Sequence, residues 1–226
     1  MTEFDGEITT EEQLRALIGT PAPRAATKDR VCLDEFDRQW LAASPFCLVA
    51  TSAADGSCDV SPKGDPPGSA VVLDDRTIAL PERSGNRRAD GFVNILSNPH
   101  AGLLFFVPGR GDTLRIQGRA KLVADAKLLD AMIVRGSRPL LALVVEIDTV
   151  FFHCAKAFLR SALWDPRTWQ PDVVPSRPQI ARAQDRPEDS LAELERYYGE
   201  QYAAGLYPVG PQPPSATPPG TGAAGS

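Results

Sequence analysis

The sequence predicts a mainly β fold: an antiparallel barrel with helices at its flanks. Three observations lead there. Between Phe46 and Phe152 short apolar runs recur, separated by turn residues such as Asp55-Gly56, Asp74-Asp75 and Pro108-Gly109. That spacing suits strands joined by tight connections better than βαβ units. Thr113 to Val123 alternates with period two, Leu114, Ile116, Gly118 and Ala120 on one face and Arg115, Gln117, Arg119 and Lys121 on the other. Finally, 42% of the 226 residues are hydrophobic, enough for one sizeable core.

Residues 1–45 are expected to form two helices that pack on the barrel. Thr10 with Glu11, Glu12 and Gln13 opens the first, whose stripe is Leu14, Leu17 and Ile18. A loop rich in Pro and Ala follows, and Leu33, Phe36, Trp40 and Leu41 then recur at helical spacing up to Ser44-Pro45. Residues 46–170 form the barrel and a closing helix. Its strands are expected at Phe46–Thr51, Cys58–Ser61, Ala70–Leu73, Thr77–Leu80, Ala101–Val107, Thr113–Val123 and Leu140–Phe152. One helix interrupts them, Arg87–Ser97, with Phe92, Ile95 and Leu96 inward. A second, His153–Leu163, follows the last strand and stops at Trp164-Asp165-Pro166. Residues 171–209 are a helical extension, Pro-rich at first and then amphipathic over Glu188–Ala203. The tail 210–226 carries no charge and many Pro and Gly, and is expected to be disordered.

Composition excludes several function classes. Lys and Arg number 24 against 29 Asp and Glu, a net charge of −5 without the basic excess of a nucleic-acid binder. There is no run of 18 apolar residues to cross a membrane. The acidic, polar start is unlike a secretory signal, so a cytoplasmic protein is expected. Cys32, Cys47, Cys58 and Cys154 are too scattered for a disulfide framework, and two histidines are too few for a His-rich metal site. His153 and Cys154 are neighbours, poorly placed as a base and nucleophile. Dinucleotide, P-loop and nucleophile-elbow motifs are absent.

Chemistry concentrates in a few places. Arg83-Ser84-Gly85-Asn86-Arg87-Arg88 sets three cations between a strand and a helix start, which suits a phosphate or else is a solvated basic loop. Ser61-Pro62-Lys63-Gly64 follows a strand and either lines a ligand or forms a polar turn. Arg115 and Gln117 share a strand face that is either wet or part of a site. Lys156, Arg160 and Trp164 stand at i, i+4 and i+8, so one helix face would offer charge and stacking to an aromatic anion, or a snorkelling pair beside a core ring.

Leu80-Pro81-Glu82-Arg83-Ser84-Gly85-Asn86-Arg87-Arg88, Asn94 to Phe105 and Leu114 to Ala120, together with Ser61-Pro62-Lys63-Gly64-Asp65, Val107-Pro108-Gly109 and His153 to Trp164, resemble the pyridoxamine 5′-phosphate oxidase-like, FMN-binding split-barrel superfamily. Within it the chain is similar to a bacterial branch of FMN-dependent proteins, over about residues 10–170. The resemblance implies a six-stranded antiparallel split barrel and a homodimer with FMN at its interface. It places the phosphate on Ser61, Lys63, Arg83, Asn86, Arg87 and Arg88, and the flavin ring along backbone near Pro62 and Pro81. Arg115 and Gln117 would border the site, and Lys156, Arg160 and Trp164 would close that of the other subunit. The true oxidases' Arg-x-Val-Leu-Leu-Lys strand, Ser-Arg-Lys helix start and Arg-x-His signature are missing, so the vitamin B6 substrate does not carry over. The resemblance thus implies an FMN-dependent oxidoreductase acting on an unidentified small molecule. The alternatives are a flavin carrier or sensor without turnover, or a split barrel that takes deazaflavin or haem, with His153 offered as the haem ligand.

Overall fold

A computed structural model describes residues 2 and 4–208; the tail expected to be disordered lies outside them. In chain order the helices are α1 (Glu11–Ile18), α2 (Pro23–Ala26), α3 (Glu35–Ala43), α4 (Asp90–Ser97), α5 (Ala126–Asp130), α6 (Lys156–Ser161), α7 (Arg177–Gln184), α8 (Leu191–Arg196) and α9 (Tyr202–Ala204). The strands are β1 (Phe46–Ser52), β2 (Cys58–Gly64), β3 (Val71–Val72), β4 (Thr77–Glu82), β5 (His100–Phe106), β6 (Thr113–Val123) and β7 (Leu141–His153).

All seven strands join one antiparallel sheet in the order β2-β1-β5-β6-β7-β4-β3. Two expectations are corrected here. The sheet has seven strands, not six, the extra one being the two-residue β3. Its hydrogen-bond ladder is also open, not closed: β2 and β3 are its free edges. Closure is left to side chains. Lys63 at the end of β2 meets Glu82 at the end of β4 at 2.6 Å, and Asp65 meets Arg83 at 2.7 Å.

The concave face holds the main core, built on Cys47 and Val49 of β1, Leu103 and Phe105 of β5, Leu114 and Ile116 of β6, and Val145, Ile147 and Val150 of β7. The spacing on β7 breaks between Ile147 and Val150 because a bulge sits opposite Gln117/Gly118. Gly118 is obligatory there, since a Cβ would fall inside the carbonyl of Glu146. The other face of β7 packs Ala142 and Val144 under Leu129 and Met132 of the α5 region, which explains why β7 opens as an unbroken apolar run over Leu141–Val145.

Helix α3 packs on the main core through Trp40 and Leu41. Asp34 caps its N-terminus, while the fully buried Asp37 accepts a fork from Arg30 at 2.5 and 2.8 Å. Arg30 in turn pairs with Val150, tying helix to sheet. By contrast α1, although it carries a complete capping box, buries no side chain. Sequence reasoning missed α2, α5 and α7. It set Leu96 inward, yet that side chain is 77% exposed, while Ile95 is buried as expected.

Candidate functional site

Helix α4 starts three residues later than expected, at Asp90, because Arg87 and Ala89 adopt left-handed backbone (φ 63° and 58°). The basic segment is therefore a loop folded over the helix N-terminus, not its first turn. No side chain caps that terminus. Gly91 brings it against β2: a Cβ there would lie 2.8 Å from Asp59 Oδ2 and 3.2 Å from Thr51 Oγ1.

A cavity of about 270 Å³ opens at this point, lined by Ser61 and Lys63 from β2, Asn86 and Arg88 from the loop, and the start of α4. The alternation of β2 explains the convergence. Asp59, Ser61 and Lys63 are odd positions paired with Thr51, Val49 and Cys47, so all three point to the face that α4 covers. The donor set suits an oxyanion. However, the walls also carry Asp59, Glu82 and Asp90, and both cations are engaged: Lys63 by Glu82 at 2.6 Å and Arg88 by Asp90 at 2.7 Å. Lys63 Nζ lies 4.7 Å from the centre of the Phe92 ring. Any anion that enters must take the cations from these carboxylates.

The opposite face of the sheet forms an open trough of about 830 Å³. Its floor follows from the strand register. One row runs Pro62, Leu48, Leu104, Arg115, Phe151, and the next Val60, Ala50, Gly102, Gln117, Thr149. The β2 and β1 end is apolar, and the β6 and β7 end is polar. Trough and cavity share Asp59, at the free edge of β2.

The sequence-predicted residues thus separate into groups. Ser61, Lys63, Asn86 and Arg88 come together in the cavity. Arg115 and Gln117 line the trough. Pro62 is exposed on the edge strand, where a residue without an N–H is tolerated, and Pro81 lies inside β4 beside a small void against Gly64 and Phe105. Arg87 is exposed and lines neither space. Arg83 is placed elsewhere: it is held by Asp65 at 2.7 Å and by the carbonyls of Ser137 and Met132 at 3.2 and 2.9 Å. Asp65 also accepts from the Tyr207 hydroxyl at 2.5 Å, which pushes the Tyr207 pKa up.

The common face of Lys156, Arg160 and Trp164 is corrected. Helix α6 ends at Ser161 because Ala162 turns left-handed (φ 50°), so Trp164 is off the helix. Its ring stacks on Phe158 (5.9 Å, 10°) and its Nε1 donates to the Arg110 carbonyl at 2.8 Å. Lys156 and Arg160 are exposed and line neither space of their own chain.

Sequence reasoning missed Glu82, Asp59 and Asp90 as part of the cavity, and Lys28 beside the trough. Glu82 was readable, since it sits within the Leu80-Pro81-Glu82-Arg83 run; Lys28 carried no signal, because only the tertiary fold brings it to β7. Lys28 Nζ donates to the Phe152 carbonyl at 3.0 Å and lies 4.1 Å from the centre of the Phe151 ring. Burial first, and then the charges of Lys28 and Arg115, hold the His153 pKa below its ordinary 6.5. Burial raises the Cys47 thiol to about 12. Among the described residues no group of acidic, His and Cys side chains is arranged to hold a metal ion, and no helix is long and apolar enough to cross a membrane.

Among solved structures, HupZ of Group A Streptococcus is 19% identical, with a TM-score of 0.43 over 53% of this chain and 93% of its own. An FMN-binding protein from Syntrophomonas wolfei is 12% identical (TM-score 0.40; 53% and 89% covered). General Stress Protein 26 from Bacillus anthracis is 15% identical (TM-score 0.40; 50% and 88% covered). No curated protein matches the sequence. The family model described as pyridoxamine 5′-phosphate oxidase matches residues 33–154, from the start of α3 through the last strand and so more than half of the 226 residues. The chain belongs to the pyridoxamine 5′-phosphate oxidase family.

Proposed function

We propose that this protein is an FMN-dependent oxidoreductase acting on a small molecule, with two copies of the chain completing each site. The observation that carries the reading is the junction at Asp59. A cavity with four hydrogen-bonding side chains, at an uncapped helix N-terminus, meets an apolar trough at the free edge of the sheet. One ligand with a phosphate at one end and a flat apolar ring at the other matches both halves. The residues fit such a group. Gly91 lets the start of α4 pack against the Asp59 and Thr51 side chains at the cavity wall. Ser61 and Asn86 are neutral donors, and Lys63 and Arg88 supply charge. The unpaired edge of β2 offers main-chain donors and acceptors to the polar side of a ring.

FMN, when bound, supplies hydride or electron transfer, and the protein binds and orients it. In this reading Lys63 and Arg88 leave Glu82 and Asp90 to hold the phosphate, while Leu48, Ala50 and Val60 exclude water from the ring. Lys156 and Arg160 reach the site of the second copy. The test is anaerobic mixing of the purified protein with NADPH or NADH, followed by air. Bleaching of a flavin band and its return support an oxidoreductase. A flavin band that neither reductant bleaches supports a carrier or sensor, and a Soret band supports haem.

A further inference from the structure

We propose that Lys28, Arg115 and His153 form a second oxyanion subsite, at the β6 and β7 end of the trough, which binds a carboxylate or phosphate of the substrate. This deepens the functional reading above and rests on it for the word substrate. The three groups surround one ring. Lys28 Nζ lies 4.1 Å from the Phe151 centroid, the Arg115 guanidinium 5.4 Å, and the His153 ring 4.9 Å. Among the described residues neither Lys28 nor Arg115 makes an ion pair, and the Arg115 guanidinium makes no hydrogen bond. Nearly every other half-buried arginine in the fold is met by a carboxylate, as Arg30 is by Asp37 and Arg83 by Asp65.

Gathering basic groups without a counter-charge costs free energy, and it contributes here to the lowered His153 pKa, after burial and through the charges of Lys28 and Arg115. The trough's own carboxylates stand elsewhere. Asp59 is at the cavity edge, and Asp148 lies in the β7 bulge, exposed and in no ion pair among the described residues. An incoming oxyanion would find one guanidinium, one ammonium and an imidazole that can take up a proton, all partly shielded from water. Arg115 is three strands from β2, roughly 14 Å across the sheet, so the subsite is separate from the phosphate cavity. A ring lying over β2 and β1 leaves this end free for a second molecule.

The experiment is calorimetric titration of the full-length protein with benzoate, phenyl phosphate and the neutral benzyl alcohol, in the wild type, Arg115→Gln, Lys28→Met and Lys121→Gln, with flavin content measured on each sample. At least one of the two anions is expected to bind the wild type, and whichever binds tighter names the natural group. Both Arg115→Gln and Lys28→Met should weaken it about ten- to a hundredfold, the value of one charge-assisted hydrogen bond. Benzyl alcohol should be indifferent to either change, and Lys121→Gln, which removes an exposed cation of the same strand that lines neither space, should leave anion binding as it was. The His153 imidazole NMR signal should titrate at higher pH when the anion is bound. Absence of binding by both anions, or equal binding to wild type and a folded Arg115→Gln, would overturn the subsite. So would an Arg115→Gln effect on dimer dissociation in place of anion affinity, which would assign the cluster to a carboxylate of the second copy. Anion binding by colourless protein that takes no FMN would sustain the subsite while refuting the flavin reading.

Discussion

Glu82→Gln is expected to strengthen FMN binding, although it removes a side chain from the wall of the site. Lys63 Nζ lies 2.6 Å from Glu82 Oε2, with the two side chains 22% and 26% exposed. A phosphate entering the cavity must displace that carboxylate from the ammonium and then remain near it. Unit charges 4 Å apart interact by about 4 kcal/mol at an effective dielectric of about 20. Solvent reaches this pair, and Gln keeps some of the attraction to Lys63 as a hydrogen bond. The net gain is therefore roughly 1–2 kcal/mol, a factor of about 5–30 in affinity. Lys63→Met works the other way and should cost roughly 1.5–3 kcal/mol, since one charge-assisted hydrogen bond to the phosphate is lost. The assay is fluorescence-quenching titration with FMN and with riboflavin. Riboflavin lacks the phosphate, so neither substitution should move its affinity. A fall in FMN affinity for Glu82→Gln would make Glu82 a strut that positions Lys63. Equal changes for both ligands would make the whole cluster structural.

Four further outcomes are expected. Stability should fall as pH drops below about 6.5: burial and like charges depress the folded-state pKa of His153, so the unfolded chain takes up the proton first. Thermal melts of His153→Gln should lack that part of the pH dependence. Of the four thiols, Cys47 should react with a disulfide reagent only on unfolding, whereas exposed Cys154, its thiol made more acidic chiefly by the Lys156 backbone N–H, should react early. Tyr207→Phe should cost about 1–3 kcal/mol in denaturant unfolding, because it removes a hydrogen bond from a nearly buried carboxylate that then keeps only Arg83. Gly118→Ala should cost about 3 kcal/mol in the same assay, because the added methyl meets the Glu146 backbone, not a movable side chain.

Much of the fold was legible because β strands of this kind write their faces into the sequence. Alternation along Thr113–Val123 set Leu114 and Ile116 inward and Arg115 and Gln117 outward, as found. The Thr10 cap and the helical spacing of Leu33, Phe36, Trp40 and Leu41 placed the starts of α1 and α3 to within a residue or two. The residues themselves showed seven strands, Val71–Val72 lying within the expected Ala70–Leu73, and the count of six came from the resemblance; closure failed because nothing local tells whether the ends of β2 and β4 will meet through backbone or through side chains. Half of the candidate cavity was readable from charge density at a strand–helix junction. The rest depended on backbone geometry and register. Left-handed Arg87 and Ala89 moved the start of α4, left-handed Ala162 turned Trp164 off its helix, and the opposing carboxylates arrived from three separate segments. Arg83 shows the limit most plainly: its partners Asp65, Met132 and Ser137 lie 18 to 54 residues away.

The most direct measurement is the identity and stoichiometry of the ligand that co-purifies with the full-length chain, read by absorbance and by mass after denaturation. The account requires FMN, approaching one per chain, with FMN rebinding to the stripped protein at least tenfold more tightly than riboflavin, as a phosphate held by Lys63 and Arg88 demands. A Soret-absorbing ligand, a deazaflavin, or a protein that binds FMN and riboflavin equally would contradict it.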